Sequence, residues 1–328
     1  LMQKGIRTKN IKVNGKRAER GQRLCNGDVV RLYLDDRYFE KPAPDSGWKK
    51  VTAPKLHVVY EDSQILLEQI MPQIAAQLRG AMGNIHTALT RLVPEEMPEG
   101  EGSTGQSAAI LCQSYYRLLR LVNNLSAAPL ISQTEPLETK NVELVAWLTE
   151  LMHCAQPLVA HAGVRLTLRC SLTAHVAAIH PSYLERLLWN LLSNAVKYTP
   201  SGGEVTVTLR AAAGQVLLTV ADSGVGIPPE QQAHLFDGYL EKLRMPPPPQ
   251  GLGLGLPLCQ AIARGHGGRL LLQSGPEGTT VTVSLPDRRC TKTVLREPPF
   301  AYGGGFHPVL LGLADALPYT AFTRKNLD

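Results

Sequence analysis

Aromatic side chains are scarce in this 328-residue chain: Phe, Trp and Tyr together make 5%. Its cores must therefore be filled mainly by aliphatic residues. No apolar run approaches the ~20 residues needed to cross a bilayer as a helix, so no membrane span is expected. The opening LMQKGIRTKN lacks a secretory pattern and reads as the middle of an element, so the chain is expected to begin inside a domain. Cys25, Cys112, Cys154, Cys170, Cys259 and Cys290 form no CxxC pair, and such scattered thiols fit a reducing, cytoplasmic setting. The nine histidines include no HExxH, which argues against a zinc enzyme.

What remains is an ordinary globular composition, 44% hydrophobic and 19% charged, long enough for two or three domains. The charge is unevenly spread. Lys4, Arg7, Lys9, Lys12, Lys16, Arg17, Arg20 and Arg23 face only Glu19, so the first 23 residues carry +7 while the whole chain carries +6. Basicity confined to one end points to a polyanion partner for that end.

Along the chain, residues 1–45 read as a small basic α+β module with β-like runs at Ile11–Val13 and Val29–Leu34 and turn signals at Asn14-Gly15 and Asn26-Gly27. Residues 46–67 continue a Pro- and Lys-rich linker into LHVVYEDSQILL, a strand-like start that stops abruptly. From Glu68 the period changes. Ile70, Ile74, Leu78, Met82, Ile85, Leu89 and Leu92 recur at helical spacing, and Leu111, Tyr115, Leu118, Leu119 and Val122 form a second stripe. The polar turn between them makes residues 68–130 an antiparallel hairpin. An exposed apolar stripe on it favours a homodimeric four-helix bundle; packing onto its own domain is the alternative. Residues 139–287 alternate helices with strands such as VTVTL and VTVSL, whose period of two suits a sheet with one solvated face. The expected fold class is α+β, a two-layer α/β sandwich preceded by the hairpin and the basic module. Residues 288–328 read as a tail.

Four motifs in residues 139–287 carry chemistry. Asn190, Asn194 and Lys197 lie at i, i+4 and i+7 of one helix, hence on one face, where amides and an ammonium can meet Mg²⁺ and a phosphate chain; a solvated polar stripe is the alternative. Asp222-Ser-Gly224-Val-Gly226 follows a strand. The carboxylate can accept from an exocyclic amine, and the glycines allow a sharp turn close to a flat ligand, although such a segment is also a common turn. Gly251-Leu-Gly253-Leu-Gly255-Leu256-Pro257 precedes a helix and can aim backbone amides at phosphates, whereas a hinge would explain the glycines alone. Thr279 and Thr280 open the last strand and would line the same pocket.

In this order and spacing the motifs resemble the N, G1, G2 and G3 boxes of histidine-kinase ATPase domains, and Leu235-Phe236-Asp237 with Tyr239 resembles the F box. The resemblance implies the Bergerat ATP-binding fold, also found in gyrase, Hsp90 and MutL, with ATP and Mg²⁺ as cofactors. It implies Asn194 as Mg²⁺ ligand, Asn190 as pocket partner, Lys197 and Tyr198 near the phosphates and lid, and Asp222 reading adenine over Gly224 and Gly226. Gly251, Gly253, Gly255 and Leu256 would hold the triphosphate. Leu240–Gln250 would be the lid, stiffened by Pro246–Pro249.

The hairpin resembles a dimerisation and phosphoacceptor domain, with one departure. Ala75-Ala76-Gln77-Leu78-Arg79 aligns with the usual Ser-His-Glu-Leu-Arg, so Ala76 stands where the acceptor histidine belongs. A methyl group cannot attack a phosphoryl group. His86, ten residues on, is the remaining histidine of that helix and the candidate acceptor. The segment 1–67 resembles the alpha-L RNA-binding module at the front of ribosomal-RNA pseudouridine synthases, truncated at its start, which implies RNA contacts through Lys4, Arg7, Lys9, Lys12, Lys16 and Arg17. The arginine-leucine-aspartate catalytic segment of those synthases is absent, so no synthase activity is implied, and the chain reads as a fusion with a seam near Leu67–Glu68. Three functions follow. One is a histidine kinase that passes phosphate to a response regulator. The second is a non-catalytic ATP-binding pseudokinase, which Ala76 favours. The third is an RNA-binding protein.

Overall fold

The computed structural model describes residues 11–13, 16–17 and 30–32, the helical positions 74, 75, 78, 82 and 85, and then 103–133, 135–232, 235, 253–291 and 306–327. The chain divides into two compact units, Leu1–Asp62 and Ser63–Asp328. In the first, β1 (Ile11–Val13) pairs antiparallel with β2 (Lys16–Arg17) and β3 (Val30–Leu32), so that Lys12 stands opposite Arg17. Lys4, Arg7 and Lys9 lie outside the described residues.

The second unit holds the main core. Helix α1 (Ser103–Ser126) does not present its apolar stripe to one side. Tyr115, Leu119 and Val122 are buried, together with Ala75 and Met82 of the preceding helical segment. Leu111 and Leu118 are exposed instead, as are Ile74, Leu78 and Ile85. After α1, β4 (Lys140–Glu143) leads into α2 (Leu144–Ala160), whose first amides are capped by the Glu143 carboxylate. β5 (Arg165–Cys170) and β6 (Val176–Ile179) follow, then α3 (Pro181–Tyr198), β7 (Glu204–Ala212), β8 (Gln215–Asp222) and a single helical turn, α4 (Pro229–Gln232). α5 (Gly255–Gly265), β9 (Arg269–Gly275) and β10 (Gly278–Pro286) complete the layer pair.

The main sheet has the order β5-β7-β8-β10-β9, with only β5 and β7 parallel, while β4 and β6 pair apart from it. Alternation sorts its faces as the period of two requires. Val207, Val220 and Val281 lie in one cross-strand row and Leu209, Leu218 and Val283 in the next, all buried on the helical side. Thr208, Thr219 and Thr282 form a row on the opposite face, where the Thr219 and Thr282 hydroxyls lie 3.1 Å apart. Helices on one face of a mixed sheet make the expected two-layer sandwich.

Helix α3 is the centre of the helical layer. Leu184, Leu187, Leu188, Trp189, Leu191 and Leu192 are all 2% exposed or less. Its start is set by two histidines. The His180 ring nitrogen accepts from the Tyr183 amide, and the His180 amide donates to His266 Nε2 at 2.9 Å. His266 Nδ1 lies 2.7 Å from the Ile262 carbonyl, so the ring is a neutral imidazole with its proton on Nδ1. Burial, reinforced by His180, holds its pKa below the usual 6.5.

Residues 306–327 correct the reading of 288–328 as a tail. Helix α6 (Pro308–Gly312), a 3₁₀ turn at Tyr319–Ala321 and α7 (Arg324–Leu327) form a compact element. Val309, Leu310, Leu311, Leu313, Leu317 and Phe322 are 1% exposed or less. Gly312 approaches Trp189 so closely that an added Cβ would stand 2.6 Å from the indole. Helix α1 receives the element with polar contacts: Gln113 Nε2 donates to the Leu317 carbonyl at 2.7 Å and Arg117 Nε to the Ala314 carbonyl at 3.1 Å. The Phe322 ring packs 5.7 Å from that of Tyr116. The apolar residues are too few and too irregularly spaced to announce an element by periodicity, so only tertiary contact reveals them.

Two outcomes follow. Phe322→Ala is expected to destabilise the second unit by about 3 kcal/mol in urea unfolding; a change below ~0.5 kcal/mol would return the segment to a loose appendage. Because the folded pKa of His266 is depressed, its contribution is complete above 6.5 and lost as pH falls from there towards the folded value. Unfolding followed from about pH 7.5 to about pH 5 should show that loss, and His266→Gln should flatten it.

Candidate functional site

Each motif is placed by a different element. Helix α3 carries Asn190 and Ser193 fully buried, Asn194 and Lys197 half-buried, and Tyr198 exposed at its end. Strand β8 ends at Asp222, whose Oδ1 accepts from the amides of Gly224 at 3.0 Å and Thr279 at 3.1 Å. The carboxylate therefore ties the first glycine turn to the start of β10. Burial raises the Asp222 pKa, and these two amides oppose the rise. Among the described residues both of these bonds fall on Oδ1, so the second oxygen keeps acceptor capacity.

The glycine turn is held from both sides. The Val225 amide donates to the carbonyl of Tyr198 at 3.4 Å, joining the turn to the end of α3. Gly226 has φ +69°, and a Cβ there would fall 1.9 Å from the Gly275 carbonyl oxygen, so no other residue fits. Ile227 donates its amide to Ser274 Oγ at 2.8 Å, and that hydroxyl lies 2.7 Å from Thr279 Oγ1. Thr280 pairs with Ala221 and Gln273 inside the sheet.

The second glycine loop meets the middle of α3. Gly253 takes a left-handed conformation, φ +67°, and α5 then starts with no side-chain cap at Leu254. Its first amides, including Leu256 in the first turn, are thus available to an anion. An added Cβ on Gly255 would stand 3.9 Å from Asn190 Cγ and Oδ1. Asn190 is therefore gathered with the G2 turn, and Tyr198, Asp222, Gly224, Gly226 and Thr279 with one another, along a single helix. Gly251, the lid segment 240–250, Phe236, Asp237, Tyr239, Ala76 and His86 lie outside the described residues.

Lys197, expected near the phosphates, stands beside a cavity next to α1. It lines a cavity of about 480 Å³ with Gln113, Arg117, His161, Asp315 and Tyr319, a space that includes none of the glycine turns. Its ammonium sits 5.4 Å from the Tyr198 ring centre. Three polar residues near the motifs escaped the sequence reading. Ser274 is one; its only signal is its place beside Gly275. Arg120 and Asp315 are the others, and they meet at 3.3 Å beside Asn190. No motif marks them, because their significance lies in a contact across 195 positions.

Gly226→Ala is expected to cost at least about 1 kcal/mol of stability in denaturant titration, through the left-handed backbone and the contact with Gly275. Gly105→Ala, in α1 with open space around it, serves as the comparison and should be neutral or stabilising.

Comparison with known proteins agrees with this arrangement. Residues 179–289 match the family model described as histidine kinase-, DNA gyrase B- and HSP90-like ATPase. The sensor protein DivL of Caulobacter vibrioides is 39% identical over 126 residues, 38% of this chain and 16% of that protein. The sensor histidine kinase Hik2 of Thermosynechococcus vestitus is 30% identical over 230 residues, 67% of this chain and 59% of Hik2. The chain thus spans less than two thirds of either relative. A crystal structure of full-length ShkA in complex with AMPPNP shares the fold, with TM-score 0.53 and 22% identity over 68% of this chain and 46% of that one. From the register of β8 and β10 to the glycine turns on α3, the segment 179–289 is an ATPase domain of the histidine kinase, gyrase B and HSP90 kind.

Proposed function

We propose that this chain binds ATP with Mg²⁺ between helix α3 and the two glycine turns, as the nucleotide-binding part of a histidine-kinase-type signalling protein. The observation that carries the reading is the gathering of Asn190 with Gly255, and of Asp222 with Gly224 and Thr279, on one helix and the strand ends beside it. The residues suit the ligands. The second oxygen of Asp222 can accept from the adenine amine. The start of α5 lacks a side-chain cap, so its first amides are donors suited to phosphate oxygens. Asn194, half-buried on the same helix, offers the oxygen ligand suited to Mg²⁺. When bound, the cation neutralises phosphate charge and ATP supplies the transferable phosphoryl group. The chain's own contribution is positioning and electrostatic complementarity.

In the kinase form of this reading, phosphate passes to a histidine, with His86 as candidate, and then to a response-regulator aspartate. The apolar residues Ile74, Leu78, Ile85, Leu111 and Leu118, all at least 40% exposed, support pairing of two copies through residues 68–130. Ala76 at the usual acceptor position favours a second reading, in which the protein binds nucleotide and dimerises without phosphorylating itself.

Calorimetric titration with Mg-ATP should show binding to the wild-type chain. Asn194→Ala should lose the Mg²⁺-dependent part, and Asp222→Asn should bind poorly while unfolding no more easily than wild type, since burial already disfavours the charged carboxylate. Unchanged affinity in both variants sinks the site. Incubation with γ-labelled ATP then separates the forms: acid-labile, base-stable label that disappears in His86→Ala identifies the kinase, and binding with no label identifies the pseudokinase.

A further inference from the structure

The polar stripe of α3 is completed by residues from outside residues 179–289. Arg120 of α1 is 4% exposed, and its guanidinium reaches three groups. One terminal nitrogen, Nη1, donates to Ser193 Oγ and pairs with Asp315 Oδ2 at 3.3 Å; the other, Nη2, donates to Asn190 Oδ1 at 3.3 Å. Asp315 lies in the C-terminal element, three residues past Gly312, which is seated on Trp189. Two further α1 side chains, Gln113 and Arg117, hold the carbonyls of Leu317 and Ala314 on either side of Asp315. The carboxylate is thus presented to the guanidinium by an element that is itself anchored.

We infer that Arg120, held by Asp315, is the positioning residue for Asn190, so that the nucleotide site depends on helix α1 and the C-terminal element. This rests on the nucleotide-binding reading of the site. A guanidinium only donates, so the atom facing it must be the amide oxygen of Asn190 and the amide nitrogen must point elsewhere. That oxygen is also the polar atom of Asn190 that faces Gly255 of the phosphate-loop turn, 3.9 Å from where a Cβ would stand, while the amide nitrogen lies toward the buried Cys259 thiol. A guanidinium beside the oxygen also disfavours a divalent cation there. Arg120 thereby holds the Asn190 oxygen in place beside the phosphate-loop turn, and metal ligation falls to Asn194. Without Arg120 the amide loses the contact that sets its orientation, and its two ends become free to exchange.

This arrangement gives the site a handle beyond the ATPase domain. A shift of α1, or release of residues 306–327, moves the guanidinium and with it the Asn190 amide beside the phosphate-loop turn. The coupling is reciprocal, so nucleotide should steady the Arg120–Asp315 contact in turn.

The test uses the full chain, with a non-hydrolysable ATP analogue titrated with and without Mg²⁺. Wild type, Arg120→Gln, Arg120→Lys, Asp315→Asn and the double variant Arg120→Gln with Asp315→Asn are compared, each checked for folding by its unfolding transition. Arg120→Gln should weaken binding about tenfold both with and without Mg²⁺, a pattern distinct from the Mg²⁺-specific loss in Asn194→Ala. Arg120→Lys should restore part of the affinity, and Asp315→Asn should weaken binding about threefold, with no further loss from it in the double variant. Folded Arg120→Gln that binds within twofold of wild type overturns the inference and leaves the nucleotide site standing. Additive losses overturn the role of Asp315. Should Arg120→Gln not fold, Asp315→Asn decides, since an unchanged affinity there overturns the dependence on the C-terminal element. Absence of binding by wild type defeats the nucleotide reading and this inference together.

Discussion

A helix buried on nearly all sides has to find a partner for every polar group it carries, and α3 imposes that constraint on the rest of the second unit. Leucines and a tryptophan fill most of its surface, yet Glu185, Asn190 and Ser193 are buried among them at 2% exposure or less. An unsatisfied polar group at such a position costs on the order of 1–3 kcal/mol. Each is answered by a neighbour. The Trp189 indole donates to Glu185 at 3.1 Å, and the Arg120 guanidinium serves Ser193 and Asn190 together. The guanidinium, nearly sealed from water itself, requires a carboxylate, and Asp315 supplies it.

The same constraint explains why the C-terminal element is folded at all. A short segment with one helical turn and a 3₁₀ turn has little intrinsic stability. It persists because it buries aliphatic and aromatic side chains against Tyr116 and Trp189 and because α1 takes up its carbonyls. The charge pair, with Arg120 buried and Asp315 partly exposed, then ties the element to α1 at one register.

On the sheet side, the site depends on register. Asp222 can hold the Gly224 and Thr279 amides together only because β8 and β10 are neighbours with Ala221 opposite Thr280. A slip of one residue would send the aspartate to the other face and leave two part-buried amides without this acceptor. The glycines sit where backbone meets backbone, as Gly226 does at the Gly275 carbonyl, so that the turn is rigid without side-chain packing. A strand end, a strand start and a helix end are therefore fastened by the Asp222 carboxylate, the Ser274 hydroxyl and the Val225–Tyr198 main-chain bond.

Much of the ATPase layer was readable from residue order alone, because strand alternation and the Asn, Asp and Gly motifs are local patterns whose chemistry follows from spacing. Val205, Val207 and Leu209 announced a buried face, and Asp222 with its glycines announced a sharp turn at a strand end. Lys197 shows the limit: its i+7 spacing puts it on the face of Asn190, but helix and cavity together turn it toward α1 and the C-terminal element. Residues 306–327 show it more strongly, since nothing periodic marks them and their burial comes from surfaces supplied by α1, α2 and α3. What the amino-acid order determined by itself was the set of elements and the motifs they carry, because these depend on neighbours within a turn or two. Which distant groups complete the polar interior of α3, Arg120 from one side and Asp315 from the other, only the tertiary structure decided, because a buried amide and hydroxyl take whatever partners the packing of three separate segments brings within reach.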